Sequence, residues 1–195
     1  MTKNMENANN AKQELLSWLR MMVCVVLGTV LLFTLVLRIV RVDGASMRDT
    51  LQDGDIVIAL GRHLSGELER GDIIVVQREG FNRGQPIVKR VIATEGQTVD
   101  IDFGTGIVYV DGVALEDDYT YTMTNLDEGT SFPQVVEKGH VFLMGDNRNK
   151  SKDSRSPEIG QVDEREILGK AIFLFMPGTN KGNDTFDFSR IGVLG

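Results

Sequence analysis

The longest feature in the pattern of apolar and polar positions is residues 21–37, MMVCVVLGTVLLFTLVL, a run of 17 positions without a charge. No polar face interrupts it, which is not the pattern of an amphipathic core helix. As a helix the run spans about 25 Å, near the lower limit for crossing the hydrocarbon of a bilayer. Ile39, Val40 and Val42 extend it if Arg38 snorkels toward the headgroups. Leu15, Leu16, Trp18 and Leu19 precede it, with Trp18 suited to the interface. The pattern predicts one transmembrane helix over 21–42 behind an N-terminal segment 1–20, and so a lipid bilayer as a partner. A cleaved signal sequence has a shorter run of about 7–15 apolar residues and then a small-residue cleavage site. Here RIVRVDG follows the run.

Beyond Asp43 the texture changes to short β-branched runs bounded by Gly, Asp and Asn. Asp55-Ile-Val-Ile-Ala-Leu60, Asp72-Ile-Ile-Val-Val76, Ile87-Val-Lys-Arg-Val-Ile92, Gly106-Ile-Val-Tyr-Val110, His140-Val-Phe-Leu-Met144 and Lys170-Ala-Ile-Phe-Leu-Phe175 read as strands. Residues 99–112 read as a hairpin reversing around 104–106. Helical periodicity outside the first run is confined to a short turn within 157–168. The expected fold class is therefore mainly β behind one N-terminal helix. Residues 111–139, polar and acidic with Glu116, Asp117 and Asp118, read as a solvated cap.

Charge sharpens this division. The chain carries a net charge of −7, distributed as +2 over residues 1–43 and −9 over the rest. An acidic body of this kind argues against nucleic acid as a partner. Lysines and arginines are balanced on the two sides of the apolar run, so charge alone leaves its orientation open. A single cysteine, Cys24, and two histidines provide neither a disulfide framework nor the usual zinc site, and no metal or other cofactor is implied. The same scarcity weakens a Ser-His-Asp triad. Asp146 and Asp153 stand among Arg148, Lys150, Lys152 and Arg155, which reads as a salt-bridge network more economically than as paired acids. Strand alternation puts Lys89 on one face with Ile87 and Val91. Desolvated there, its amine would lose its charge and become a base; on an exposed face it would be an ordinary ammonium.

Four blocks together carry a specific resemblance: Gly44-Ala-Ser-Met-Arg-Asp-Thr-Leu51, Gly71-Asp-Ile-Ile-Val-Val76, Val88-Lys-Arg-Val-Ile92 and Gly145-Asp-Asn-Arg-Asn-Lys-Ser-Lys-Asp-Ser-Arg155. With the N-terminal anchor, they make the chain resemble the bacterial type I signal peptidases, from the anchor to Pro177, and Arg190-Ile-Gly192 is familial as well. The resemblance implies a serine–lysine dyad, with Ser46 as nucleophile and Lys89 as general base, working through an acyl-enzyme. It implies that the Ser46 N–H contributes to an oxyanion hole, that Ser151 orients the lysine, and that Asp153 and Arg155 form a supporting pair beside Asp146 and Arg148. Gly44, Ala45 and Met47 would bind substrate as a strand edge. The implied substrates are signal peptides of translocated preproteins, cut after small-x-small sites. The implied fold is a β catalytic core over 43–98 and 140–195 with a small β subdomain at 99–139. The implied location is the cell membrane, single-pass, with a cytoplasmic N-terminus and an extracytoplasmic catalytic domain.

One departure bears on chemistry. The family usually has proline where this chain has Asp49, three residues from Ser46. A carboxylate there that approached Lys89 would favour the ammonium, giving a more alkaline optimum than an Asp49→Pro variant. Two other functions compete: a non-proteolytic relative serving pilus-type assembly, which would lack the dyad, and a self-cleaving repressor-type Ser-Lys protease, which would have a DNA-binding domain in place of the anchor.

Overall fold

The computed structural model describes residues 2–78, 80–116, 118–179 and 185–194. They form two compact units, residues 1–37 and 38–195.

The first unit is helix α1 (Thr2–Leu31), prolonged by a π-helical turn over Leu32–Val36. Its stretch Lys12–Thr34 is long and apolar enough to cross a membrane, and none of it is buried. The three hydroxyls inside the stretch are satisfied locally: Ser17, Thr29 and Thr34 donate to the carbonyls of Glu14, Val25 and Val30, at 2.8, 2.9 and 2.6 Å. The helix does not continue to residue 42, as the apolar pattern led us to expect. Strand β1 (Leu37–Arg41) begins immediately, because the β-branched Ile39 and Val40 extend the sheet and Val40 and Val42 turn toward the domain core.

The second unit is built on antiparallel pairing. Strands β2 (Ile56–Gly61), β3 (Ile73–Val76), β4 (Ile87–Thr94), β9 (His140–Met144), β10 (Val162–Asp163), β11 (Ile167–Met176) and β12 (Gly192–Val193) join β1 in one sheet. The order is β1-β2-β11-β3-β4-β9-β10, with β12 on β11. Between β4 and β9 the chain makes a second sheet from β5 (Thr98–Asp102), β6 (Ile107–Val110), β7 (Val113–Ala114) and β8 (Gln134–Val135), ordered β7-β6-β5-β8. The expected runs thus become strands, β11 beginning three residues earlier than its apolar run. The helical turn expected within 157–168 is a 3-10 turn at Glu164–Glu166.

Packing explains why the inserted sheet stays in place. Val99, Ile101, Val108 and Val110 from the small sheet share a core with Ile92, Ala93, Phe142 and Met144 from β4 and β9. Phe132 stands edge-on to both Phe103 and Phe142, at 5.9 Å between ring centroids. A bulge between Val91 and Ala93 lets β4 serve two cores at once, Val91 packing in one and Ile92 and Ala93 in the other.

The C-terminal segment is tied back by a buried charge. Asp55, fully buried, accepts from the N–H groups of Gln52 and Gly178, each at 2.7 Å, and from both Nη atoms of Arg190 at 3.0 and 2.7 Å. Arg190 Nη2 also reaches the Thr50 carbonyl at 3.2 Å. Removing one partner of such a pair strands the other in a low-dielectric site. Arg190→Ala is therefore expected to destabilise the domain by about 3 kcal/mol, read as a lowered chemical-denaturation midpoint of the full chain in detergent.

Candidate active site

Three segments distant in sequence converge on Ser46. The first is its own turn. Gly44 takes φ +90°, a left-handed conformation that glycine adopts without strain, and its N–H donates to Asp53 Oδ1 at 2.8 Å. Met47 and Leu51 fix the turn from beneath, at 1% and 0% exposure, with Leu51 N–H bonded to the Met47 carbonyl at 2.8 Å. The Ser46 N–H donates to no other group among the described residues.

The second segment is β4. Lys89 is 4% exposed, and its Nζ donates to Ser46 Oγ at 2.7 Å and to the Val88 carbonyl at 3.2 Å. Burial strips water from the ammonium and lowers the pKa to about 8, against the opposing pull of Asp153, Asp146 and Glu128; Arg155 adds to the lowering. The neighbouring Arg90 is equally buried and holds Asp146 with two bonds, at 2.9 and 2.7 Å. It also donates to the Gly71 carbonyl at 2.7 Å and lies 3.9 Å over the Tyr119 ring. Thr50 donates to the same carboxylate at 2.6 Å, so Asp146 joins the serine turn to the lysine strand.

The third segment is 145–155. Asn147 braces the turn, its N–H on the Ser46 carbonyl at 3.0 Å and its Nδ2 on the Ala45 carbonyl at 3.1 Å. Asp153 and Arg155 are both fully buried and pair through Nε at 2.8 Å and Nη2 at 2.9 Å. Asp153 also accepts the Gly145 N–H at 3.0 Å. A Cβ on Gly145 would collide with Ser151 Oγ and come within 2.5 Å of the Ser46 carbonyl oxygen, so only glycine permits this approach.

The structure gives each expected site residue its surroundings. Asp146 pairs with Arg90 from the adjacent strand, and Arg148 reaches Thr124 Oγ1 at 3.1 Å. The Met47 side chain belongs to the core. Ser151 is buried, but its Oγ makes no hydrogen bond among the described residues, because the Lys89 amine is turned toward Ser46 and the Val88 carbonyl. Asp49 is exposed, and the carboxylates that act on Lys89 are Asp153, Asp146 and Glu128 instead. Arg90, Thr50, Asn147 and Glu128 escaped the sequence reading. The signal for Arg90 was available, since it sits in the same β-branched run as Lys89.

A cavity of about 200 Å³ opens onto Ser46 and Lys89, with Val42, Gly44, Ile87 and Val88 among its walls. A neighbouring cavity of about 540 Å³ shares Arg41, Asp43, Asn82 and Pro86 with it. Among the described residues no group of acidic, histidine and cysteine side chains could hold a metal ion.

The family model "Signal peptidase, peptidase S26" matches residues 15–176. Signal peptidase I of Bacillus licheniformis is 31% identical over 88% of this chain and 94% of its own length. A probable signal peptidase I-1 of Synechocystis is 39% identical over 70% of each chain. A crystal structure of a signal peptidase I from Enterococcus faecalis is 29% identical, covers 53% of this chain and 96% of its own, and superposes with a TM-score of 0.43.

The exposure of Asp49 generates a prediction. Asp49→Pro is expected to move the Lys89 titration midpoint by less than about 0.3 pH units, followed by NMR of ε-13C-labelled lysine. A carboxylate that opposed the base would instead release a substantial drop.

Proposed function

We propose, from the premise that this chain belongs to the signal peptidase family, peptidase S26, that it is a membrane-anchored serine endopeptidase using a Ser46/Lys89 dyad to remove signal peptides from translocated preproteins. The observation that carries this reading is the 2.7 Å hydrogen bond between Ser46 Oγ and a buried lysine amine, whose pKa desolvation lowers to about 8. At neutral pH a usable fraction of that amine is unprotonated, which an exposed lysine does not offer.

In the proposed cycle neutral Lys89 takes the Ser46 proton as Oγ attacks the scissile carbonyl. The oxyanion is met by the Ser46 N–H, with no hydroxyl contribution from position 44, which is glycine. The Lys89 ammonium then protonates the leaving amine, and the C–N bond breaks to leave an ester on Ser46. Lys89, neutral again, removes a proton from water as it attacks the ester, and returns that proton to Ser46 Oγ as the acyl group leaves.

Recognition follows from an unpaired edge. Residues 87–89 pair with β3 on one side, whereas β9 joins β4 only from Arg90 onward. An extended peptide fits as an added strand between residues 87–89 and residues 42–44, and the small cavity beside the dyad favours small side chains at a small-x-small site. The reading places α1 across the cell membrane, single-pass, with the N-terminus cytoplasmic and the catalytic domain outside. The coexistence of Ser46, Lys89, Asp153 and Arg155 in one hydrogen-bonded site weighs against the assembly-factor alternative.

The test is cleavage of a preprotein bearing an Ala-x-Ala site by the full chain in lipid or detergent, with the cut mapped by mass spectrometry. Wild type is expected to cut at that site, and Ser46→Ala and Lys89→Met to lose at least about a thousandfold in rate. Equal activity in all three overturns the dyad. The wild-type kcat/KM is expected to rise with pH through about 8, as the amine loses its proton.

A further inference from the structure

The polar segment between β7 and β8 is not a solvated cap throughout. Thr124 Oγ1 accepts from Arg148, and the N–H groups of Asn125 and Leu126 donate to Asn149 Oδ1 at 3.2 and 3.1 Å. Asn149 Nδ2 returns a bond to the Met123 carbonyl at 2.9 Å, and the Leu126 carbonyl accepts Arg155 Nη1 at 3.1 Å. Residues 123–128 are thus strapped along segment 145–155. At the end of the strap Glu128, its side chain only 11% exposed, places Oε1 3.4 Å from Arg155 Nη2. That oxygen is buried and accepts no hydrogen bond among the described residues, so its contact with Arg155 is electrostatic.

We infer that Glu128 is a positioning residue of the site: as a second carboxylate on the buried Arg155 it fixes segment 145–155 against the serine turn and adds to the negative charge that Asp153 and Asp146 place on the Lys89 amine. This rests on the reading of Ser46 and Lys89 as the dyad. The path is short. Arg155 divides its charge between Glu128 and Asp153, Asp153 holds the Gly145 N–H, and Gly145 lies against the Ser46 carbonyl. The charged groups acting on Lys89 are Asp153, Asp146, Glu128 and Arg155, with Arg90 beside it neutralising Asp146. Glu128 itself faces Arg155, Asp153 and Lys152, and shares a cavity with Lys150 and Glu158. Burial raises its pKa above the usual carboxylate value, while Arg155 pulls it back.

The sign is determined. A carboxylate favours the ammonium, so removing it frees the neutral amine at lower pH. In the full chain, Glu128→Gln is expected to move the acid limb of the kcat/KM profile down by about half a pH unit. Below the limb that is about a threefold gain relative to each enzyme's own plateau. Glu128→Asp, which keeps the charge, is expected to leave the limb near its wild-type position. Glu128→Ala run in parallel removes the charge without the amide, so the inference does not depend on one variant folding. A neutral variant that retains a wild-type limb overturns the inference, as does an Asp variant that shifts as far as the neutral ones. A general loss of rate at every pH with the limb unmoved marks a merely structural role and overturns it too. If the wild-type profile itself has no limb near pH 8, the dyad reading fails instead.

Discussion

Holding a lysine amine out of water is the constraint on which this site turns. Desolvation disfavours the ammonium, but a buried lysine among carboxylates would ordinarily remain charged, because each carboxylate supplies the missing stabilisation. Here Asp146 and Asp153 lie close enough to act on Lys89, yet each is engaged by a guanidinium, Arg90 for the first and Arg155 for the second. Arginine suits this work because it stays protonated when buried and binds a carboxylate through two parallel bonds. The two arginines thereby leave desolvation the larger influence on Lys89. They also build the frame, since the same guanidiniums cross-link the serine turn, the lysine strand and segment 145–155.

The sheet delivers these groups by long-range pairing. Ser46 precedes β2, Lys89 lies in β4, and Asp153 follows β9, with the small sheet intervening between β4 and β9. The bulge in β4 makes the insertion workable, because it turns consecutive residues toward two different cores. The inserted sheet is therefore continuous with the larger one in its packing, and its loop contributes polar partners to segment 145–155.

Much of this was legible in the residues. The β-branched runs gave the strands and Gly and Asp gave the turns, while strand alternation left Lys89 open between a desolvated amine and an exposed ammonium, and only the four-block resemblance singled it out as the base. What was not legible lies in interactions without a local trace. Nothing periodic reveals that Asp146 pairs with Arg90 rather than Arg148, or that Glu128 reaches Arg155 from an acidic loop. Nor does the sequence show that a one-residue step from Ser46 around the turn carries the Met47 side chain into the core. The end of α1 was misplaced because Ile39, Val40 and Val42 suit a membrane and a sheet equally well, and only pairing with the rest of the domain decides between them. Segment 145–155 was recognisable as a block, while the Asn147 brace on the Ser46 turn became visible only in three dimensions.

The burial of Lys89 also makes reactivity a property of the finished fold. In an unfolded chain its amine has an ordinary pKa near 10.4, and at pH 7 about one molecule in a few thousand is unprotonated. In the folded domain, with the value lowered to about 8, the fraction is about one in ten. If this amine is the base, a chain still threading into the membrane, or held extended by other factors, is chemically silent toward the polypeptides around it. It acquires its hydrolytic capacity only when the sheet closes, so the unfolded state serves as its zymogen.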